Sequence, residues 1–333
     1  MAEEAEEEDE AEYHSRDFAW EDLRDEIESD ASLSHHLLSS SLPSSSIGSS
    51  STSSSIDADA WRSFHHRHST GRFFKERRYL LKEFPELVSC CDSVKVLEVG
   101  CGNGSTVLPI LRLCSAGRNT VVYGCDCSED VLERAKEIVS AAKGIHIKDR
   151  FHPFLLDFSI HSFPEWLVCS SCQCSLGGKC VDFSLDGHRE KPSKSNAPFM
   201  GEDQCCIGGV DFVTLIFTLS AVPFDKMSLI IERCASTLKP GGLILFRDYG
   251  LYDMTMLRFS PDQRVGSREY MRSDGTLSYF FSLDVARDLF CAAGLVTLEL
   301  EYCCIRSVNR RNGKTMRRVW VHGKFQKPMP NPS

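Results

Sequence analysis

Short apolar runs recur along the chain, and each is bounded by turn residues. An apolar run of about four to eight residues closed by Gly, Pro or Asp is typical of a buried strand. Five such runs precede residue 250, at 94–99, 120–126, 154–157, 210–217 and 243–246. Two more, at 296–304 and 317–325, flank the polar turn 309–313. The pattern therefore predicts five strands followed by a hairpin.

Amphipathic segments separate these runs. Apolar side chains recur at helical spacing over 105–114, 129–142, 226–238 and 284–293. Ser128 is predicted to cap the second of these helices, and Gly294 to end the fourth. Because strands and helices alternate, we expect an α/β fold with a mostly parallel sheet that helices cover on both faces.

The first 55 residues have a different composition. Residues 1–14 are acidic and residues 39–55 are almost all serine, and such segments have too few apolar side chains to form a core. Between them, Phe18, Leu23 and Ile27 could share one face of a short helix. We predict that 1–55 is a mostly disordered tail, either a passive one or one that is phosphorylated or binds a partner.

Residues 56–92 are rich in aromatic and basic side chains. Helical spacing is visible over 75–82, and Pro85 interrupts it. We predict a separate helical segment here, ahead of a main domain at 93–327 and a short tail at 328–333.

A hydrophilic segment at 169–209 interrupts the alternation between the third and fourth strands. Its Cys169-x-x-Cys172 motif, together with Cys174 and Cys180, could ligate zinc. However, the spacing matches no ribbon of two paired CxxC motifs. We therefore interpret the segment as a flexible insertion and predict no metal site.

Charge is distributed unevenly. The net charge of the chain is −9, but residues 1–60 contribute 17 acidic side chains against Arg16 and Arg24. The remaining residues then carry a net charge of +6, which is compatible with a polyanionic substrate.

We expect no membrane segment and no secretory or mitochondrial signal. The sixteen cysteines are accordingly expected to be mostly free thiols in the cytoplasm or nucleus.

A glycine-rich loop follows the first strand and opens the first helix. It reads Glu98-Val-Gly-Cys-Gly-Asn-Gly104, and Gly100, Gly102 and Gly104 allow the backbone to approach a ligand closely. Several nucleotide-binding folds share this pattern. Asp126 ends the second strand, where a carboxylate can accept hydrogen bonds from a ribose diol.

A second acidic residue, Asp157, follows the third strand and is succeeded by Phe158. The order of strand, EVGCGNG loop, helix, strand ending in Asp126, helix, and strand ending in Asp157 resembles the class I methyltransferases. That resemblance implies S-adenosylmethionine as cofactor and a seven-stranded sheet with an antiparallel C-terminal hairpin. Asp157 would then lie near the adenine amine.

The end of the fourth strand restricts the chemistry. It reads Ile216-Phe-Thr-Leu-Ser-Ala-Val-Pro223. The Asn/Asp-Pro-Pro-aromatic motif of amino-methylating DNA enzymes does not occur there, nor does the Pro-Cys nucleophile that activates cytosine C5. The sequence therefore argues against both amino methylation of DNA and C5 methylation of cytosine.

Four further blocks are similar to the eukaryotic tRNA N3-methylcytidine methyltransferases. They are Arg72–Arg77 with Glu83–Leu87, Phe246–Phe259, Arg272–Phe281 and Arg318–Phe325, and they occur in the family's order over about 57–327 apart from the insertion. The resemblance implies methylation of N3 of cytidine 32 in the tRNA anticodon loop. Seryl-tRNA synthetase or another accessory protein is a possible partner. The family's W-x-x-F-Y motif matches Trp61 and Phe64, but His65 replaces the tyrosine.

The resemblance and the loop together assign the site residues. Cofactor contacts are expected from Trp61, His65, Lys75, Glu98, Gly100, Gly102, Asp126, Asp157, Phe158 and Ile216. Substrate contacts are expected from Phe73, Phe74, Arg77, Arg247, Tyr249 and Arg272. For Phe73 and Phe74 a role as core anchors stays open, and Arg247 and Asp248 could simply pair with each other.

The methylation of cytosine N3 determines which other side chains the site needs. Neutral cytosine N3 already carries a lone pair, so attack needs no prior deprotonation, whereas the methylated base is cationic. The enzyme must therefore align the reactants and stabilise positive charge, and Asp248 and Asp274 are the candidate carboxylates. Two alternatives remain open: a class I methyltransferase that acts on a protein or small molecule, and a non-catalytic scaffold that binds cofactor or RNA.

Overall fold

A seven-stranded sheet forms the centre of the computed structural model. The structure describes residues 16–37, 53–67, 76–89, 93–112, 119–142, 150–169, 172, 205–309 and 313–330. The strands of this sheet are β1 (Ser93–Val99), β2 (Asn119–Asp126), β3 (Phe151–Leu155), β4 (Val210–Ile216), β5 (Leu238–Tyr249), β9 (Val296–Asn309) and β10 (Lys314–Gln326).

The strand order is β3-β2-β1-β4-β5-β10-β9. The first five strands are mutually parallel, and β10 is antiparallel to both β5 and β9. This arrangement confirms the predicted α/β fold and its C-terminal hairpin. The chain moves outward in one direction from β1 to β3 and then crosses back to β4. The carboxyl ends of β1 and β4 therefore border the crevice where ligands bind in such sheets.

Helices follow the strands as expected. Those that pack on the central sheet span Val107–Arg112, Glu129–Ala141, Phe224–Thr237 and Leu283–Ala292. Ser282 caps the last of these by accepting a hydrogen bond from the amide of Val285. Ser128 does not act as the side-chain cap that we predicted. Its amide instead donates to Asp126 Oδ1 at 3.1 Å, so the preceding strand end stabilises this helix start.

Two short helices, Leu80–Glu83 and Glu86–Ser89, lie on either side of Pro85. The predicted helix over 75–82 is thus confined to its last turn among the described residues. Proline has no amide hydrogen to donate, and its ring excludes the preceding turn, so the helix restarts after it. Phe84, between the two helices, is fully buried and anchors the segment.

A second sheet, which the sequence did not predict, contains three short antiparallel strands. These are β6 (Arg264–Gly266), β7 (Glu269–Met271) and β8 (Leu277–Tyr279). Three residues are too few to show the alternation by which strands are recognised in a sequence. The sheet packs through Tyr270 and neighbouring aromatic side chains against the segment after β5.

Part of the predicted tail is folded. Within residues 16–37, the helix Trp20–Ser29 buries Leu23 and Ile27, each with 1% of its surface exposed. Both belong to one apolar cluster that also contains Leu251 and Met256. The apolar face of this helix is complemented by side chains that follow β5 in the sequence, which composition alone does not reveal.

The two faces of the central sheet carry separate apolar cores. One includes the helices Phe224–Thr237 and Leu283–Ala292, and the other includes the helices Val107–Arg112 and Glu129–Ala141. Over the part of the chain that the structure describes, we find no helix with the length and apolar character needed to cross a bilayer.

Candidate functional site

The glycine loop turns sharply between β1 and the helix Val107–Arg112. Gly100 has a φ of +69°, and a Cβ there would lie 2.7 Å from Thr218 Cγ2, so the position excludes any side chain. Gly102 has a φ of +53°, and a Cβ there would meet nothing within 4 Å. The backbone of Gly102 therefore faces open space, which is the surface that a ligand would occupy.

Asp126 fixes this loop from the end of β2. Its Oδ2 accepts a hydrogen bond from the amide of Gly102 at 3.0 Å, and its Oδ1 accepts one from the amide of Ser128 at 3.1 Å. A carboxylate offers about four lone-pair positions. Two positions consequently have no hydrogen-bond donor from the described residues and can accept hydroxyl groups, as a ribose diol requires.

Asp157 has one satisfied and one unsatisfied oxygen. Oδ1 accepts hydrogen bonds from the amide and the hydroxyl of Ser159, at 3.0 and 2.6 Å. Oδ2 is buried and has no hydrogen-bond partner among the described residues. Because a buried acceptor without a donor is unfavourable, Oδ2 fits an amine donor such as the exocyclic amine of adenine. The adjacent Phe158 is half-buried and packs against the apolar core.

Glu98 lies beneath the loop rather than facing the open space. Its side chain is fully buried and accepts a hydrogen bond from Thr214 on β4. Burial raises the pKa of Glu98 to about 7, although Thr214 and Arg77 oppose this rise. The structure thus makes Glu98 a support for the loop. Its other oxygen, Oε1, is buried and has no hydrogen-bond partner among the described residues.

The helix Ser53–Arg67 contacts residues at the carboxyl ends of β2 and β4. Trp61 Nε1 donates to the carbonyl of Ala221 at 3.1 Å, after β4. Arg62 Nε donates to the carbonyl of Cys127 at 3.1 Å, after β2. His65 Nε2 lies 3.8 Å from Asp126 Oδ1. We call this helix the lid, because it places Trp61 and His65 over the glycine loop.

The end of β4 forms an aromatic corner. Ile216 is buried, and Phe217 follows it with a φ of +54°, a conformation that a bulky side chain rarely adopts and that costs about 1–3 kcal/mol. The ring centroid of Phe217 is 5.1 Å from that of Tyr249 and 6.1 Å from that of Trp320. Sequence reasoning missed Phe217 and Trp320, because backbone strain and ring contacts have no local sequence signal.

Arg77 joins this corner to the glycine loop. Its amide donates to the carbonyl of Ser105 at 2.9 Å, and its guanidinium donates to Thr106 Oγ1 at 3.0 Å. The guanidinium carbon also lies 5.5 Å from the centroid of Phe217. A cation and a half-buried aromatic ring therefore occur together beside the glycine loop.

The two candidate carboxylates differ in their surroundings. Asp248 is fully buried, and it accepts hydrogen bonds from the amides of Ser220 and Tyr249 at 2.9 and 2.8 Å. Burial raises the pKa of Asp248 to about 6, and the hydrogen bonds from Ser220 oppose this rise. Because it is enclosed, Asp248 positions the segment 219–221 rather than contacting a substrate, which corrects its expected catalytic role.

Asp274 is half-buried in the turn before β8. Its Oδ1 accepts hydrogen bonds from the amide and the hydroxyl of Thr276, at 3.0 and 2.6 Å. Burial favours a higher pKa for Asp274, but Thr276, Arg272 and Arg67 outweigh it and leave the pKa below its usual value. Asp274 therefore remains a carboxylate near the C-terminal end of the lid. The neighbouring Gly275 also approaches the lid, since a Cβ there would lie 3.6 Å from Ala60 Cβ.

Arg247 does not reach solvent. Its guanidinium is enclosed, pairs with Glu83 at 2.5 Å and lies between the rings of Tyr79 and Trp320, at 4.9 and 4.4 Å from their centroids. The expectation that Arg247 contacts substrate is therefore wrong, and so is the alternative pairing with Asp248. The position of Arg247 near the end of β5 suggests exposure to solvent. Its partner in the structure is instead Glu83, which is distant in the sequence and buried.

Of the remaining predicted substrate residues, some lie near the site and others lie outside the described residues. Tyr249 and Arg272 are half-buried, Tyr249 in the aromatic corner and Arg272 beside Asp274. Phe73, Phe74 and Lys75 lie outside the described residues. Gly100, Gly102, Asp126, His65 and Trp61 come together at one end of the sheet, and Tyr249 and Arg77 border them through Phe217.

These features fit S-adenosylmethionine. Gly102 leaves room for a ligand against its backbone, Asp126 retains acceptor positions for two hydroxyls, and Asp157 carries a buried acceptor without a donor. The three groups follow β1, β2 and β3 at one edge of the sheet. The order matches the amino-acid, ribose and adenine parts of that cofactor, as the resemblance implies.

Comparisons with known proteins extend this picture. A family model described as a methyltransferase domain matches residues 51–300. The chain is 36% identical to human tRNA N(3)-cytidine methyltransferase METTL6 over 277 residues, which is 82% of this chain and 81% of that protein. It is 34% identical to Drosophila melanogaster tRNA N(3)-methylcytidine methyltransferase Mettl2 over 81% of this chain and 71% of that protein.

A solved structure provides the match in fold. A SAM-dependent methyltransferase from Anabaena variabilis aligns with a TM-score of 0.50 and 15% identity, over 81% of this chain and 94% of that chain. At this identity the comparison supports the architecture of the sheet and helices.

Proposed function

The chain belongs to the methyltransferase-domain family and, within it, to the tRNA N(3)-cytidine methyltransferases, and on that premise we propose that it methylates N3 of cytidine in tRNA. The observation that carries this proposal is 36% identity to METTL6 over 82% of the chain. The match to the methyltransferase-domain model over residues 51–300 includes the glycine loop, Asp126 and the lid. S-adenosylmethionine supplies an electrophilic methyl group on a sulfonium.

The glycine loop and the two acidic strand ends hold the cofactor in our proposal. Gly102 offers open backbone, Asp126 accepts from the ribose hydroxyls, and Asp157 Oδ2 accepts from the adenine amine. Asp126 is already fixed by the amides of Gly102 and Ser128. The orientation of the Asp126 side chain is therefore set before the cofactor binds, which reduces the conformational entropy that is lost on binding.

The lid closes this site from above. Trp61 is tied to the carbonyl of Ala221, and the amide of Ser220 next to it is held by the buried carboxylate of Asp248. The enclosed Asp248 thereby fixes the segment on which the lid rests. Such an arrangement excludes water from the methyl donor and aligns the reactants.

The aromatic corner and the cations beside it suit a single-stranded RNA base. Sequence-specific RNA recognition commonly targets loop bases that are splayed out and stacked on aromatic side chains. Phe217 and Tyr249 are half-buried aromatic residues next to the glycine loop, and Arg77 and Arg272 contribute positive charge for phosphates. We propose that the target cytidine enters here, and that Lys75, Phe73 and Phe74 contribute from the segment before Arg77.

N3 attack needs no base, so the protein's main chemical task is to accommodate the positive charge of the methylated ring. Asp274 fits this task, because it is partly accessible and its pKa lies below the usual value. The family resemblance also leads us to propose position 32 of the anticodon loop as the target and an accessory protein such as seryl-tRNA synthetase. The composition of the chain leads us to propose the cytoplasm or nucleus as its location.

The test is nucleoside mass spectrometry after incubation of the full chain with total tRNA and methyl-labelled cofactor. We expect label in N3-methylcytidine, and none with the Asp126→Ala variant. Label in another nucleoside would contradict the proposed reaction, and label in protein or small molecules alone would support the alternative substrate classes. Addition of purified seryl-tRNA synthetase to a parallel reaction tests the partner.

A further inference from the structure

Four cysteine thiols meet where the 169–209 insertion leaves the domain and rejoins it. They belong to Cys169, Cys172, Cys205 and Cys206, and their sulfur atoms all lie within 4.8 Å of one another. The Cys172 and Cys205 sulfurs are 3.4 Å apart, and those of Cys205 and Cys206 are 4.0 Å apart. All four are free thiols.

These separations are those of ligands around a single metal ion. A tetrahedral site with zinc–sulfur bonds of about 2.3 Å has sulfur–sulfur edges of about 3.8 Å, and the two distances above fall on either side of that value. A disulfide would require about 2.05 Å. A cluster of several iron atoms would hold its four thiolates farther apart than one ion does.

A backbone amide points at one of the sulfurs. The amide of Gly208 donates to Cys206 Sγ at 3.3 Å. Gly208 and Gly209 have φ values of +75° and +80°, which glycine adopts without strain. Amide donors around thiolate ligands orient them and offset their charge.

We propose that Cys169, Cys172, Cys205 and Cys206 bind one Zn²⁺ as a structural tetrathiolate site. This inference revises our interpretation of the insertion as metal-free. The Cys169-x-x-Cys172 half was visible in the sequence, but the second half is the adjacent pair Cys205–Cys206 rather than Cys174 and Cys180. A search for two CxxC motifs misses such a pair.

The site ties the ends of the insertion to the central sheet. The amide of Ile207 donates to the carbonyl of Trp166 at 2.8 Å, and that of Gly209 donates to Leu167 at 2.8 Å. Lys95 Nζ on β1 also donates to the carbonyl of Ile207 at 2.6 Å. A metal here would join Cys169 and Cys172 to the segment that leads into β4.

The position indicates a structural rather than a catalytic metal. The seven residues of β4 separate the cluster from Phe217, a distance of about 23 Å at about 3.3 Å per residue. Four protein ligands also leave no coordination position for a substrate, as is typical of structural zinc. In a reducing compartment, a cysteine cluster favours a metal over disulfides.

The test is the metal content of the full chain, purified under reducing conditions and measured by inductively coupled plasma mass spectrometry after incubation with equimolar zinc. We expect one zinc per chain in the unaltered protein and in Cys291→Ser, which removes an exposed free thiol elsewhere. The double variant Cys172→Ser/Cys205→Ser should fall to background. Substitution with Co²⁺ should give the visible absorption of a tetrahedral tetrathiolate.

A second measurement does not depend on the variants. Chelation should lower the thermal midpoint of the unaltered protein, and added zinc should restore it. Background zinc in the unaltered protein, iron with inorganic sulfide, or a mass two hydrogens lower under non-reducing conditions would each overturn the proposal.

Discussion

Arg247 and Glu83 form an ion pair inside the protein, with 2.5 Å between Nη1 and Oε2. Glu83 also accepts from His322 Nδ1 at 2.9 Å, so one carboxylate joins β5, β10 and the short helix Leu80–Glu83. The pair connects the segment that precedes the glycine loop to the far half of the sheet. It explains why an arginine at a strand end contributes to stability rather than to RNA binding.

Loss of Arg247 should therefore destabilise the fold. We expect Arg247→Met to lower the free energy of unfolding by about 3–5 kcal/mol, because it leaves a buried carboxylate without its cation. The double variant Arg247→Met/Glu83→Leu should recover much of that loss. Denaturant unfolding measures both. Unfolding at the wild-type midpoint combined with weaker tRNA binding would instead favour a phosphate contact.

Glu98 makes stability depend on pH. Its pKa is about 7 in the folded protein against 4.5 as the ordinary value, so the folded state binds a proton more tightly than the unfolded state. Its contribution is most favourable below pH 4.5 and is lost as the pH rises towards 7, by roughly 3 kcal/mol at most. Glu98→Gln retains an acceptor for Thr214, and its stability relative to wild type should rise across that range. A constant difference would show that the two states bind this proton equally.

The sheet was predictable and much of the site was not. Each parallel strand is a local apolar run, and Asp126 and Asp157 follow such runs directly, so local patterns place them at one edge. The burial of Arg247 depends on Glu83, 164 residues away, and the φ of Phe217 depends on tertiary packing. Neither leaves a local pattern. The same holds for Leu23 and Ile27, whose apolar partners lie after β5.

The docking of the helix Trp20–Ser29 on the rest of the protein can be tested by substitution. Leu23→Ala should lower the free energy of unfolding by about 2–5 kcal/mol, because the side chain is buried in the apolar cluster that contains Leu251 and Met256. Asp25→Ala, on the exposed face of the same helix, should change it little. Differential scanning calorimetry distinguishes the two. Equal midpoints for both variants would mean that this helix does not stay docked in solution.

Asp126→Ala should strongly weaken the binding of the cofactor. The substitution removes the acceptor for the Gly102 and Ser128 amides and for the ribose. Hydrogen bonds to charged groups contribute about 1.5–3 kcal/mol each, so we expect a loss of at least about tenfold in affinity. Isothermal titration with S-adenosylhomocysteine measures it. Asp130→Ala, an exposed carboxylate four residues further on, is the matched control, and an unchanged affinity for Asp126→Ala would remove it from the site.

Trp61→Phe tests whether the lid helix contributes to cofactor retention. Phenylalanine keeps the ring contact with Phe64, whose centroid lies 5.2 Å away, but it loses the hydrogen bond from Nε1 to the carbonyl of Ala221. One such bond is worth about 0.5–1.5 kcal/mol, which corresponds to cofactor dissociation about two- to tenfold faster. Stopped-flow displacement measures that rate, with His66→Ala as a control on the exposed face of the same helix. Because the lid rests on the segment that Asp248 positions, equal rates for the two variants would mean that His65 and Asp126 close the site without this anchor.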